Sequence, residues 1–170
     1  MPAAQDDGRL LDDVAEALRG RFGEAVQPIP SPAEDGLTVK LRRAALREAL
    51  LFLKEEQGFN ALLDIIALDN LKSGPADPAA GRPRFEVLYQ LYQFPGGLRV
   101  RLSVDVAEGE EIDSAQPVYK SADWAEREAY DMFGIRFAGH PDLRRIYLPD
   151  DFEGYPLRKD FPLQGTKRGL

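Results

Sequence analysis

The chain has 170 residues and a mass of 19.0 kDa, enough for one domain with a real core and room for an arm. It has no cysteine, which excludes disulfides, Fe–S clusters, thiolate nucleophiles and Cys-based zinc sites; its one histidine, His140, excludes a two-His metal motif and would leave a metal only oxygen ligands. With 22 basic against 29 acidic residues the net charge is −7, a poor match to a phosphate backbone.

Residues 8–22 read as a helix, with Leu11, Val14, Ala15, Leu18 and Phe22 on one face and Asp12, Asp13 and Glu16 in its early turns. Gly20 and Gly23 mark its end. The proline-bearing stretch Gln27–Gly36 reads as a loop or edge connection, and Leu37–Leu41 as a short strand. Residues 43–57 form the clearest helix: Leu46, Ala49, Leu50 and Leu53 repeat at i, i+3, i+4 and i+7, and Gly58 stops them. The apolar run Ala61–Leu71 suits a strand covered on both faces. Ser73–Pro83 is a Gly/Pro/Ala loop. Around Pro95-Gly96-Gly97, Phe85, Val87, Tyr89 and Leu91 share one strand face, as do Leu98, Val100, Leu102, Val104 and Val106, which predicts a hairpin. The fold class expected is α+β: a two-layer domain over residues 1–119, with a mainly antiparallel sheet and helices on one face, plus an extended C-terminal arm over residues 120–170.

The character changes after Asp113. Asp123 and Glu126 have capping-box spacing for a helix over Trp124–Phe133 that ends at Gly134. Ala125, Ala129, Met132 and Phe133 would form its apolar side, and Trp124, Arg127, Glu128 and Asp131 another face. Beyond Gly134, Pro141, Pro149, Pro156 and Pro162 forbid long helices. Phe137, Tyr147, Phe152, Tyr155 and Phe161 are more aromatics than a disordered linker carries. An arm laid over a partner, with little core of its own beyond Phe137, fits this pattern. The net charge belongs to residues 1–119; residues 120–170 hold 9 basic and 9 acidic side chains. No run reaches the roughly 18 apolar residues of a membrane span. Met1–Arg9 has no apolar signal-peptide stretch. A soluble cytoplasmic chain, with peripheral attachment to a membrane complex left open, is the expectation.

Three runs are specific: Glu126–Ile135 (EREAYDMFGI), Gly139–Ile146 (GHPDLRRI), and Leu148–Leu163 (LPDDFEGYPLRKDFPL). Together with Trp124 they resemble the signature of the 30-kilodalton subunit of proton-translocating NADH–quinone oxidoreductase, respiratory complex I. Two positions depart from that pattern: Tyr147, where many members have an aliphatic residue, and Tyr155, where many have a histidine. The resemblance implies a subunit without a cofactor, since NADH, FMN, Fe–S clusters and quinone are handled by other subunits. It implies a place in the peripheral arm, on the cytoplasmic side of the cell inner membrane, beside the hydrogenase-like 49-kilodalton quinone-site subunit and neighbouring Fe–S subunits. The same scaffold in an F420-type dehydrogenase or a membrane-bound [NiFe]-hydrogenase complex is the alternative.

The residue types favour docking over chemistry. Trp124 and Arg127 suit interface anchors, with Glu128 and Asp131 on the same face and Arg127 able to pair with Asp131. His140, in a Gly-His-Pro-Asp turn, suits a backbone or partner contact better than general acid–base work. Arg144, Arg145, Arg158 and Lys159 suit partner carboxylates better than phosphates. Asp150 and Asp151, beside Glu153, suit a turn or docking role better than a cation site. Asp160 and Phe161 complete the expected partner-binding set; no catalytic, cofactor or metal residue is expected. A standalone enzyme built on His140 finds no nucleophile elbow, phosphate loop or metal motif in its support.

Overall fold

The computed structural model describes residues 3–29, 36–73 and 77–162. The middle of the proline-bearing loop, residues 74–76, and the end of the signature from Leu163 onward lie outside them.

Helix α1 (Ala3–Phe22) leads through a 3₁₀ turn to β1 (Val26–Ile29), β2 (Leu37–Leu41), α2 (Leu46–Glu55), β3 (Ala61–Asp69), β4 (Phe85–Tyr92), β5 (Arg99–Val106), β6 (Glu111–Asp113), α3 (Ala122–Phe133) and β7 (Arg136–Ala138). Five strands form one sheet in the order β1-β2-β5-β4-β3, antiparallel except where β2 runs parallel to β5. The start of the proline-bearing stretch is therefore an edge strand, where Pro28 costs no central ladder bond.

The period-two pattern places Val39, Leu102 and Tyr89 in one cross-strand row, and Leu41, Val104 and Val87 in the next. All belong to one core cluster with α1 and α2, whose Leu18, Leu46, Ala49, Leu50 and Leu53 are fully buried. Each such leucine contributes roughly 1.5–3 kcal/mol relative to an exposed one. The opposite sheet face is polar: Lys40 bonds Glu86 and Asp105, and Ser103 bonds Glu86.

Strand β3 is not covered on both faces. It is the other edge of the sheet, a bulge interrupts its pairing between Leu62 and Asp64, and Leu63 is 60% exposed. The apolar run is continuous because one side faces the core and the edge itself is shielded by α3. The Ser121 hydroxyl docks that helix by donating to the Leu62 carbonyl at 2.9 Å.

Strands β6 and β7 pair in parallel, a geometry that needs a crossover, and α3 is that crossover. Its N-terminus is not a capping box. Ser121 is the cap residue and makes no side-chain cap bond, while Glu126 is buried and bonds Ser114 and Ala115. The spacing of Asp123 and Glu126 cannot tell an acid turned back to the helix start from one turned into the core. The apolar core crosses residue 119: Ala122, Ala129, Ile135 and Phe137 pack in the same cluster as the sheet and α2.

Candidate functional site

The signature residues meet around the second half of α3, and Asp131 is their centre. Its side chain is fully buried. Oδ2 accepts the backbone N–H groups of Ile146, Tyr147 and Leu148 at 3.0, 2.8 and 3.1 Å, and Oδ1 accepts Arg145 at 2.8 Å. Burial alone would raise this carboxyl, but the Tyr147 N–H, the Arg145 guanidinium and the Ile146 and Leu148 N–H groups outweigh it and hold the group below the usual carboxylate range. One helix residue thus fixes three consecutive residues of a segment that has no ladder to pair with.

Arg145 extends the clasp, donating to the carbonyls of Phe152 and Gly154 at 3.2 Å each. Its guanidinium lies 5.9 Å from the Phe152 ring centre and 5.4 Å from that of Tyr155. Arg158 donates to the Phe133 carbonyl at 2.6 Å and lies 4.5 Å from the Tyr155 ring centre. These groups close over the end of α3 so tightly that Gly134 admits no side chain. Its φ is +75°, and an added Cβ would fall 2.5 Å from the Tyr155 ring and 2.8 Å from Arg158.

A second anchor lies outside the signature. Arg84, at the start of β4, donates to Asp69 at 2.9 Å, Glu108 at 2.9 Å and Asp160 at 2.6 Å. Asp69 also accepts the Lys159 N–H at 3.0 Å. Burial works against the Asp69 charge, but Arg84 and the Lys159 and Leu71 N–H groups hold the carboxyl low; Arg84 does the same for Asp160. Asp69, Arg84 and Glu108 are not visible to sequence reasoning. Nothing local marks an Asp ending one strand and an Arg starting the next as sockets for residues 76 and 90 positions away.

The expected docking residues therefore divide. Asp131, Arg145, Arg158 and Asp160 bond within the chain, and Phe161 stacks on Phe152 with ring centres 6.1 Å apart. Lys159 bonds Ser73 through its ammonium group. His140 is turned inward, with Nε2 3.2 Å from the Asp123 carbonyl. Arg127 does not pair with Asp131. It donates to the Arg144 carbonyl at 3.2 Å and lies 5.0 Å from the Trp124 ring centre. Asp131 is committed to the arm, which leaves Arg127 that backbone acceptor and Asp123, 3.9 Å away. Trp124 and Tyr147 are each 65% exposed, and Arg144, Glu128, Asp150 and Asp151 also face solvent. Among the described residues no three His, Asp or Glu side chains converge to hold a metal ion, and no helix is long and apolar enough to cross a membrane.

Residues 39–167 match the family model described as the respiratory-chain NADH dehydrogenase, 30 Kd subunit. The chain belongs to that family. The C 2 subunit of the NADH-quinone oxidoreductase of Rhizobium etli is 43% identical over 153 residues, covering 88% of this chain and 76% of that protein. The corresponding NADH-quinone oxidoreductase subunit of Trichlorobacter lovleyi is 44% identical over 154 residues, covering 90% of each. A solved structure titled as the trypsin-resistant fragment of Nqo5 superposes with a TM-score of 0.67 at 34% identity, covering 79% of this chain and 99% of that one. The membrane-bound sulfane sulfur reductase, an archaeal respiratory membrane complex, contains a chain of the same fold, with a TM-score of 0.71 at 20% identity. It covers 89% of this chain and 85% of that one.

Proposed function

We propose that this chain is the non-catalytic, peripheral-arm 30-kilodalton-type subunit of a membrane-associated NADH–quinone oxidoreductase. It supports the Fe–S and quinone module that passes electrons from NADH to quinone with coupled proton translocation. NADH, FMN, Fe–S clusters and quinone are bound by other subunits. The chain sits on the cytoplasmic side of the cell inner membrane, against the hydrogenase-like 49-kilodalton subunit and the neighbouring Fe–S subunits.

Within that role residues 1–119 are the body and residues 120–170 the partner-binding part, a division of labour laid over one continuous core. The observation that carries the docking role is the pair of large aromatics, Trp124 and Tyr147, both 65% exposed and both held by the Asp131 clasp and its neighbours. Rigid, preordered aromatics with a flanking arginine are what an interface hot spot needs, because little entropy remains to be lost on binding. Arg144, Glu128, Asp150 and Asp151 supply the charged rim. The members of the set that bond within the chain hold this surface in shape.

The test is co-purification from detergent extract with a tagged chain. The wild type is expected to bring down Fe–S and hydrogenase-like subunits, and Trp124→Ala with Tyr147→Ala to bring down at least tenfold less. Absence of those subunits from the wild-type eluate, with quinone reduction intact in a deletion strain, refutes the proposal. The purified chain alone is expected to show no NADH oxidation.

A further inference from the structure

Glu126 and the His140 side chain are both fully buried, and their nearest polar atoms, Oε2 and Nε2, are 4.0 Å apart. Glu126 accepts the Ala115 N–H at 2.5 Å on Oε1 and the Ser114 hydroxyl at 2.6 Å on Oε2. Among the described residues no Lys or Arg pairs with it. The ionisable side chains around it are Asp123 on its own helix, Tyr89 on β4 and His140 after β7, and Asp113 on β6 acts on Tyr89. The Asp142 backbone N–H meets the far side of the ring, while its carboxylate accepts from Arg144. His140 is thus the one basic neighbour of Glu126, and Asp123 adds negative potential. The buried Tyr89 hydroxyl has no hydrogen-bond partner among the described residues, and burial first, then the Glu126 and Asp113 carboxylates, disfavour its ionisation.

The ring is held in one tautomer. Nδ1 accepts the Asp142 N–H at 3.1 Å, so the hydrogen resides on Nε2, which donates to the Asp123 carbonyl at 3.2 Å. While the turn is seated, both ring nitrogens are committed, Nδ1 as acceptor and Nε2 as donor. A protonated Glu126 can donate to Ser114, whose hydroxyl is able to accept as well as donate.

We propose that Glu126 and His140 form a buried proton-binding site: with the proton on Glu126 the His140 ring stays on the Asp123 carbonyl, and when the proton leaves to water the Nε2–H swings to the Glu126 carboxylate. The swing breaks the Asp123 contact and moves the turn at Gly139–Asp142. That turn adjoins Arg144, whose carbonyl holds Arg127 beneath Trp124. Protonation therefore reaches the exposed aromatic through a short chain of directly bonded groups. Burial pushes the Glu126 carboxyl up to about 7, with Asp123 adding to the rise and the Ser114 and Ala115 donors opposing it.

The test is carbon-13 and nitrogen-15 NMR on the full chain. A glutamate carboxyl signal absent from Glu126→Gln is expected to titrate near 7, and the His140 ring signals are expected to move with the same midpoint. In Glu126→Gln, which keeps the shape of the side chain, the ring movement at that midpoint is expected to vanish. A Glu126 signal that titrates with the surface glutamates overturns the site, as does a His140 curve unchanged in Glu126→Gln. His140→Asn leaves the carboxyl in place but removes its only basic neighbour. The Glu126 midpoint is expected to rise by at least half a pH unit, and an unmoved midpoint overturns the linkage.

Discussion

The body and the arm are held by opposite kinds of physics. In the body, Leu46, Ala49, Leu50 and Leu53 of α2 share one buried cluster with Val39, Leu102 and Tyr89, and the sheet closes through non-directional burial. In the arm, a buried carboxylate on α3 takes three consecutive N–H groups and a guanidinium, and a buried arginine at the head of β4 takes three carboxylates. Apolar packing tolerates approximate shape, whereas a buried charge network fails when one member is removed. The arm is therefore the more brittle region.

The largest effect is expected from Asp131→Ala, which strands three N–H groups and Arg145. Breaking such a pair costs about 3–5 kcal/mol, confined to the arm. Hydrogen exchange is expected to show the Ile146–Leu148 amides losing protection while Val87 and Leu102 keep theirs. Equal loss in both regions would mean that the arm is part of the body's cooperative unit. Leu50→Ala is the mirror experiment. A cavity of that kind costs about 2–5 kcal/mol, and urea unfolding followed in both regions is expected to shift together, because the arm needs the body as its floor. Gly134→Ala adds left-handed strain of about 1–3 kcal/mol and drives a methyl group into Tyr155. Trypsin is expected to cut after Arg144 or Arg158 faster, with the sheet intact.

Acid separates the regions without a mutation. Asp131, Asp69 and Asp160 all have folded pKa values below the ordinary aspartate value of 3.8. The stability they supply is present above that value and is lost as pH falls through the lower folded ones. Glu126 has the opposite sign, raised from 4.5 to about 7, so its contribution is present below 4.5 and lost as pH rises through 7. In a titration from pH 5 to pH 2, Tyr147 amide protection is expected to disappear before that of Leu102; simultaneous loss removes the distinction. The smallest stability change, within about 0.5 kcal/mol, is expected for the surface substitution Trp124→Ala, measured by thermal unfolding of the free chain. Under the proposed docking role its effect falls on assembly.

Legibility in the sequence follows the same divide. The α2 stripe and the alternation in β4 and β5 are readable because burial imposes a period of 3.6 or 2 on neighbouring residues. The edge position of β3 is not, because an apolar run looks alike whether a second layer or a helix alongside shields it. The α3 helix is placed to within two residues by its spacing, yet that spacing makes Glu126 a cap and Asp131 and Arg127 a surface pair, and neither is so. Charged residues at helical spacing carry no mark of whether they face water or a returning arm. The sockets for that arm lie 14 to 90 residues away along the chain and leave no periodic trace.

The Arg84 network also sets an order on synthesis. Asp69, Arg84, Glu108 and Asp131 precede the residues they hold, with Lys159 and Asp160 among the last described. A growing chain folds its N-terminal part first, so every socket exists before its plug leaves the ribosome. The arm that carries the exposed Tyr147 is fully pinned only after Lys159 and Asp160 have been made. A chain stopped before Lys159 and Asp160 thus has a body and an arm whose last plugs are missing.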